Sequence, residues 1–77
     1  GLRQWLRVEI GQDYKETAIR SLQSSGYEYV PNGHAIYVYV KTRQKVEILR
    51  LFDKEQIPIA DFDVTDSYAV PQSEEVQ

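Results

Sequence analysis

The stretch His34-Ala35-Ile36-Tyr37-Val38-Tyr39-Val40-Lys41 decides the fold of this 77-residue chain. Its residues alternate in character with a period of two, which is typical of a β-strand that separates two environments. One face is aliphatic and suited to lie under helices; it carries Ile36, Val38 and Val40. The other face is aromatic with polar tips; it carries Ala35, Tyr37 and Tyr39. We therefore place this strand at the centre of the fold, with one covered face and one open face.

A second alternating run, residues 5–10, predicts the first strand. Its aliphatic residues Leu6, Val8 and Ile10 face the predicted core. The opposite face of this strand carries Trp5, Arg7 and Glu9. Since both runs have one aliphatic and one mixed face, we expect them to lie side by side in the same sheet.

Between these runs the sequence predicts a helix and a short strand. Asp13 is a candidate N-cap for the helix, with Glu16 at the capping-box position, and Gly26 is a candidate C-cap. The apolar stripe of this helix consists of Tyr14, Ala18, Ile19 and Leu22. Residues 27–30 predict the short second strand, and Pro31-Asn32-Gly33 predicts a hairpin connection to the third.

The remainder of the chain predicts a second helix and an edge strand. Thr42 can cap a helix over about residues 43–55. The apolar stripe of that helix consists of Val46, Ile48, Leu49, Leu51 and Phe52. Residues 57–64 predict the fourth strand, and Pro58, which has no amide donor for a central ladder, places this strand at an edge. Its predicted inward residues are Ala60, Phe62 and Val64.

The resulting order of strand, helix, strand, strand, helix, strand predicts an α+β domain with the ferredoxin-like βαββαβ fold. Right-handed crossovers turn this order into a four-stranded antiparallel sheet with both helices on one face. The first and third strands then lie in the middle of the sheet. We expect residues 1–66 to form this single domain and residues 67–77 to be a polar, acidic tail that frays.

Composition excludes several classes of function. The chain has no cysteine, so it can form no disulfide, zinc knuckle or thiol nucleophile. Nine basic against twelve acidic residues give a formal net charge of −3, the wrong sign for a phosphate-backbone binder. No apolar run approaches the ~18 residues that a membrane span requires. Because the chain starts with Gly1 and contains no methionine, we expect it to be a domain excised from a longer protein.

The sequence also predicts no enzyme, no cofactor and no metal site. His34 is the only histidine, and its place beside a hairpin predicts a solvated turn residue. Asp61, Asp63 and Asp66 superficially resemble a calcium loop. The alternation puts the first two on the exposed face of an edge strand, and no glycine or distal glutamate completes the loop. Neither the Gly-x-x-x-x-Gly-Lys-Ser/Thr nor the Gly-x-Gly-x-x-Gly phosphate-binding pattern is present.

The open sheet face is the candidate binding surface. We predict that it carries an aromatic set formed by Trp5, Tyr29, Tyr37 and Tyr39. Large apolar side chains with polar tips suit a protein interface. Tyrosines also fit any half-buried pleated surface, so a face covered by the tail or by a neighbouring domain is an alternative explanation for them.

Two other functions fit the same element order. RNA-recognition motifs share it and stack nucleobases on such a face, and Gly33, Ala35 and Tyr39 fall at positions that their signature permits. However, Asn32 stands where that family has a basic residue, and His34 and Ile36 replace its aromatics. A small-ligand sensor that works as a dimer is the other possibility, and fold analogy is its only basis.

Several motifs are shared with one known family. The matching pieces are Leu6-Arg7-Val8-Glu9-Ile10, Ser21-Leu22 with Gly26, the Gly-x-x-ϕ-x-Val-x-Val hairpin of residues 33–40, Glu47-Ile48-Leu49 with Phe52, and residues 57–64. With these motifs, residues 5–66 resemble the small accessory domain that follows the nucleotide-binding domain in ATP-binding subunits of ABC-2-type exporters. Pro71-Gln72-Ser73-Glu74-Glu75-Val76 echoes the family's later acidic segment but lacks its leucine and phenylalanine.

This resemblance implies a regulatory or interaction role rather than catalysis. It implies a cytoplasmic domain, associated with the membrane through a transporter complex. The implied partners are proteins: the upstream ATPase domain, the permease or a dimer mate. ATP hydrolysis would belong to the upstream domain. Direct insertion into the membrane is not expected, and nucleic acid is the less favoured partner.

Overall fold

The computed structural model of the chain describes residues 3–65 and 70–71, so that most of the predicted tail lies outside the described residues. The elements are β1 (Arg3–Ile10), α1 (Gln12–Ser24), β2 (Glu28–Asn32), β3 (Ala35–Lys41), α2 (Gln44–Lys54) and β4 (Ile59–Thr65). The four strands form one antiparallel sheet in the order β2-β3-β1-β4. This arrangement is the ferredoxin-like α+β fold that the sequence predicts, with β1 and β3 in the middle.

The hydrophobic core lies between one face of the sheet and the two helices. The central strands supply its base with Leu6, Val8, Ile10, Ile36, Val38 and Val40, all almost fully buried. The helices close over them with Ala18, Leu22, Ile48 and Phe52. The aliphatic face predicted for β3 is therefore confirmed as the covered face. Burial of this much aliphatic surface is the main stabilising contribution in so small a domain.

The start of α1 differs from the sequence prediction. The N-cap is Gly11 rather than Asp13, and no side chain caps the helix. The Gly11 carbonyl accepts a hydrogen bond from the amide of Tyr14 at 3.0 Å, so the helix begins directly after β1. Glu16, predicted to complete a capping box, instead accepts a hydrogen bond from Arg20 at 2.9 Å one turn further along. Asp13 lies in the first turn, where a negative charge is favourable to the helix dipole.

The start of α2 is also one residue later than predicted. Arg43, not Thr42, occupies the N-cap position, and its side chain makes no capping hydrogen bond. Gln44 reaches back instead, and its Oε1 accepts a hydrogen bond from the Lys41 amide at 2.8 Å. The predicted apolar stripe is too wide, because Val46 is 53% exposed and lies on the solvent side of α2.

The end of α1 has a defined hydrogen-bond geometry. After α1, the Gly26 amide donates to the Gln23 carbonyl and the Tyr27 amide to the Leu22 carbonyl, which together form a Schellman motif. Gly26 takes the left-handed conformation that this motif requires, with φ 78°. The predicted C-cap is therefore the residue after the true cap, Ser25.

The hairpin between β2 and β3 is tighter than predicted. Pro31 and Asn32 belong to β2, and Asn32 pairs with Ala35, so the turn consists of Gly33 and His34 alone. Gly33 has φ 59° and His34 does not have a positive φ, the sign pattern of a type II′ turn. His34 is exposed there, as expected for a solvated turn residue.

β4 is an edge strand, as predicted, but it starts after Pro58 rather than including it. Its register against β1 shifts between Glu9 and Ile10, which leaves Ala60 exposed instead of inward. Phe62 and Val64 do lie on the helix side of the sheet, opposite Val8 and Leu6. In the part of the chain that is described, no helix is long and apolar enough to cross a membrane.

Candidate protein-interaction face

The sheet face opposite the helices, called the open face below, is built from all four strands. Residues that pair across strands share a face, so the register places three four-residue rows of side chains on it, with the pair Arg3 and Lys41 next to the first row. The first row is Glu28, Tyr39, Trp5 and Thr65; the second is Val30, Tyr37, Arg7 and Asp63; the third is Asn32, Ala35, Glu9 and Asp61. Aromatic residues thus occupy the middle of the first two rows, and acidic residues gather at the β4 side.

Trp5 and Tyr39 form the aromatic centre of the open face. Their ring centroids are 4.8 Å apart with an interplanar angle of 37°, a tilted contact between the two central strands. The guanidinium carbon of Arg3 lies 5.3 Å from the centroid of the Tyr39 ring, within the range of a cation–π interaction. Both rings are half-buried although no helix covers this face.

Tyr37 lies on the same face of β3, two residues before Tyr39, and completes this aromatic centre. It pairs with Arg7 on one side and with Val30 on the other. Three of the four predicted aromatic residues, Trp5, Tyr37 and Tyr39, are therefore brought together on one surface.

Tyr29 is not part of this surface. It pairs with Val38, whose side chain is fully buried under the helices, so Tyr29 lies on the helix side of the sheet. It packs against the core, and its hydroxyl accepts a hydrogen bond from Nε2 of Gln23 at 2.7 Å. The prediction that Tyr29 belongs to the open face is wrong, because the tight hairpin fixes a different pairing register.

Arg7 is the hub of an ion-pair cluster beside the aromatic centre. Its Nε donates to Oδ1 of Asp63 at 2.6 Å, its Nη2 to Oδ2 of Asp61 at 3.2 Å and its Nη1 to Oε2 of Glu9 at 3.4 Å. The hydrogen bond that Arg7 donates to Asp63 is the main cause that raises the pKa of Arg7, while partial burial opposes it. The Arg7 side chain is 23% exposed and the carboxylates far more so, which leaves them open to a partner.

Charge on the open face disfavours RNA. Among the described residues, this face carries four carboxylates and three cations. The carboxylates are those of Glu9, Glu28, Asp61 and Asp63, and the cations are Arg3, Arg7 and Lys41. The Arg3 guanidinium also lies over the Tyr39 ring, where a nucleobase would have to stack. Affinity for nucleic acid depends mainly on cations that contact phosphates, and the described part of this face carries more carboxylates than cations.

The residues with possible catalytic chemistry lie in a turn and on an edge strand. His34 lies in the hairpin turn, and Asp61 and Asp63 pair with Arg7 on the exposed face of β4, as the alternation predicts. Among the described residues, no group of three histidine or carboxylate side chains is arranged to hold a metal ion. Asp66 lies outside the described residues.

Comparison with known proteins adds no relative to this description. The chain matches no protein-family model, no curated protein and no solved structure. The two glycines that carry part of the exporter resemblance, Gly26 and Gly33, have a physical reason in this chain, because both adopt positive φ at tight turns.

Proposed function

We propose that this domain is a non-catalytic interaction module that binds a protein partner through its open face. The observation that carries the proposal is the aromatic centre formed by Trp5, Tyr37 and Tyr39 on the two central strands. These side chains lie outside the core, and a partner that covers them gains a large apolar area together with hydroxyl and indole hydrogen bonds. The neighbouring carboxylates around Arg7 supply a charged rim.

The setting that we propose follows from the sequence resemblance. The domain would be the accessory part of an ATP-binding subunit of an ABC-2-type exporter, in the cytoplasm and held at the membrane by the transporter complex. Its open face would contact the upstream ATPase domain, the permease or a second subunit. Catalysis would remain with the ATPase domain, and this module would adjust assembly or the transport cycle.

The substitution Tyr37→Ala tests the proposed interface. Since Tyr37 lies on the open face and not in the core, we expect the free energy of unfolding to change by less than about 1 kcal/mol. Association of the domain with the rest of its parent protein should weaken about tenfold or more, as expected for a buried interface tyrosine. Chemical denaturation and titration calorimetry measure the two effects.

Tyr14→Ala is the matched control, because Tyr14 is 41% exposed on α1, in the helix layer rather than on the open face. It should leave association unchanged. If Tyr37→Ala unfolds the domain, or leaves association intact, the interface proposal fails. Shifts of the Tyr37 and Tyr39 resonances on titration with single-stranded RNA, lost at higher salt, would replace the protein partner with RNA.

The coding sequence upstream of Leu2 tests the exporter setting separately. A phosphate loop followed by the rest of an ABC ATPase domain is the expected result. A natural start at Leu2, or a different upstream domain, would overturn the exporter setting. The interface proposal would stand in that case, because it depends on the open face alone.

A further inference from the structure

The backbone of β4 presents hydrogen-bonding groups at the open edge of the sheet. The Ile10 amide donates to the His34 carbonyl on the β3 side at 2.7 Å. Because successive amides along a strand point to opposite sides, every second residue of β1 points its amide towards β4 instead. The β1 residues with this orientation lie opposite Asp61, Asp63 and Thr65 of β4. The backbone amides of these three residues therefore point towards β1. The amides of Phe62 and Val64 face away from the sheet, where a further strand could pair.

The apolar and the acidic side chains of β4 lie on opposite faces of the sheet. On the helix side, Phe62 and Val64 are 51% and 44% exposed, since neither helix covers them. On the open face, Asp61 and Asp63 are more than half exposed. With Glu9 they give three carboxylates against the single positive charge of Arg7. The edge thus alternates apolar residues with acidic ones.

The outward amide of Phe62 already has a hydrogen-bond partner, which is a side chain and not a neighbouring strand. The Phe62 amide donates to Oδ1 of Asp61 at 2.9 Å, while Oδ2 of the same carboxylate bonds to Arg7. Such a contact protects an edge strand from indiscriminate pairing. An incoming strand whose carbonyl accepts the Phe62 amide would release Oδ1 of Asp61, which could then accept a hydrogen bond from a cationic side chain of that strand.

We infer that the β4 edge is a second docking site, which adds an extended peptide segment with alternating apolar and basic residues. Main-chain hydrogen bonds to Phe62 and Val64 would give affinity, and the alternation would give specificity. Antiparallel pairing of two β4 strands centred on Phe62 would set Asp61 against Asp63 of the copy. Like charges in opposite positions are destabilising, which disfavours a second copy in this register. This site shares the carboxylates around Arg7 with the open face but does not use the aromatic centre.

A blocked six-residue peptide of alternating lysine and valine tests the inference with the ¹⁵N-labelled full chain. We expect the largest amide shifts at Phe62 and Val64, the two outward donors. A peptide with glutamate in place of lysine, and a lysine–valine peptide N-methylated at alternate amides, should each bind at least tenfold more weakly. The first removes the charge complementarity and the second removes the donors to the β4 carbonyls.

Two matched variants locate the site. Val64→Lys should weaken peptide binding at least tenfold, whereas Val46→Lys, at a similarly exposed valine on α2, should leave it unchanged. Tyr37→Ala should also leave it unchanged, so failure of the open-face proposal and failure of this one give different results. Absence of binding at millimolar peptide, equal binding of the glutamate peptide, or binding that survives Val64→Lys would overturn the inference. A dimer in sedimentation that Val64→Lys dissociates would overturn it in favour of a second copy.

Discussion

Gln56 holds a backbone conformation that glycine adopts more easily. It follows α2 with φ 58°, and its amide donates to the Asp53 carbonyl while the Ile57 amide donates to the Phe52 carbonyl. This is the same Schellman motif that Gly26 completes after α1. Ile57 and Phe52 are both buried, which supplies the hydrophobic contact that accompanies the motif. The left-handed conformation costs a residue with a Cβ roughly 1–2 kcal/mol.

Gln56→Gly should therefore stabilise the domain. The removed backbone strain is partly offset by the greater freedom of glycine in the unfolded chain, so we expect a gain of about 0.5–1 kcal/mol. Urea denaturation measures it as a higher midpoint with an unchanged slope. Gly26→Gln is the mirror control: a Cβ at Gly26 meets no atom within 4 Å, so its expected loss of stability reports backbone conformation alone. A lower midpoint for Gln56→Gly would contradict this account.

At the scale of elements, β4 is held to the domain mainly through β1. Its helix-side residues Phe62 and Val64 are half-exposed, so packing contributes less there than in the central strands. The ion pairs of Arg7 with Asp61 and Asp63 cross from β1 to β4 and add a second attachment. Exposed ion pairs usually contribute ~0.2–1 kcal/mol, but a short contact to a less exposed arginine lies at the upper end.

A double-mutant cycle with Arg7→Gln and Asp63→Asn measures this attachment. We expect a coupling energy of about 0.5–1 kcal/mol at low salt, falling in 1 M NaCl because of screening. The matched control is the cycle for Arg20 and Glu16 on α1, whose side chains are 64% and 84% exposed and whose coupling should be smaller. Equal coupling energies in the two cycles would mean that the Arg7–Asp63 pair stabilises β4 no more than an ordinary exposed ion pair stabilises a helix.

The existence and order of the elements could be predicted from the sequence, but the pairing register could not. Period-two alternation and the positions of Gly26 and Gly33 were sufficient to predict the number and order of the strands and the presence of turns between them. A loop made of Pro31-Asn32-Gly33 would pair Val30 with His34 and hence Tyr29 with Ala35, on the open face. The observed turn pairs Tyr29 with Val38. The difference is three positions, and any odd shift moves a side chain to the opposite face.

The role of Arg7 could not be predicted from the sequence for the same reason. Alternation placed Arg7 on the open face, but its carboxylate partners come from β4, more than fifty positions away. Their approach depends on the register shift between Glu9 and Ile10, which no local pattern encodes. The helix starts were mispredicted for a related reason. Asp13 and Thr42 are good capping residues, but the strand ends and the Gln44 side chain fix where the backbone turns.

At the scale of the whole molecule, the two βαβ halves interleave in one sheet and share one core. Tyr27, between α1 and β2, links them further, because its hydroxyl donates to Oε2 of Glu47 on α2 at 3.1 Å. Burial is the larger cause that raises the pKa of Tyr27, and the hydrogen bond and negative charge of Glu47 add to it. The folded domain therefore holds this proton more tightly than the unfolded chain does.

Stability should consequently fall at alkaline pH through Tyr27. A group whose pKa is raised on folding contributes its full stabilisation below its unfolded pKa, about pH 10 for tyrosine, and loses it as the pH rises through the folded value. Tyr27→Phe should lower the free energy of unfolding at pH 7 and show a shallower decline above about pH 10, so that the two curves converge. The two proteins differ only at this side chain, so the difference between their curves reports on Tyr27. Glu47→Gln removes the charge but keeps a hydrogen-bond acceptor, so the decline of its stability with pH should be intermediate. Parallel curves for the wild type and Tyr27→Phe would show that the Tyr27 proton is not linked to folding.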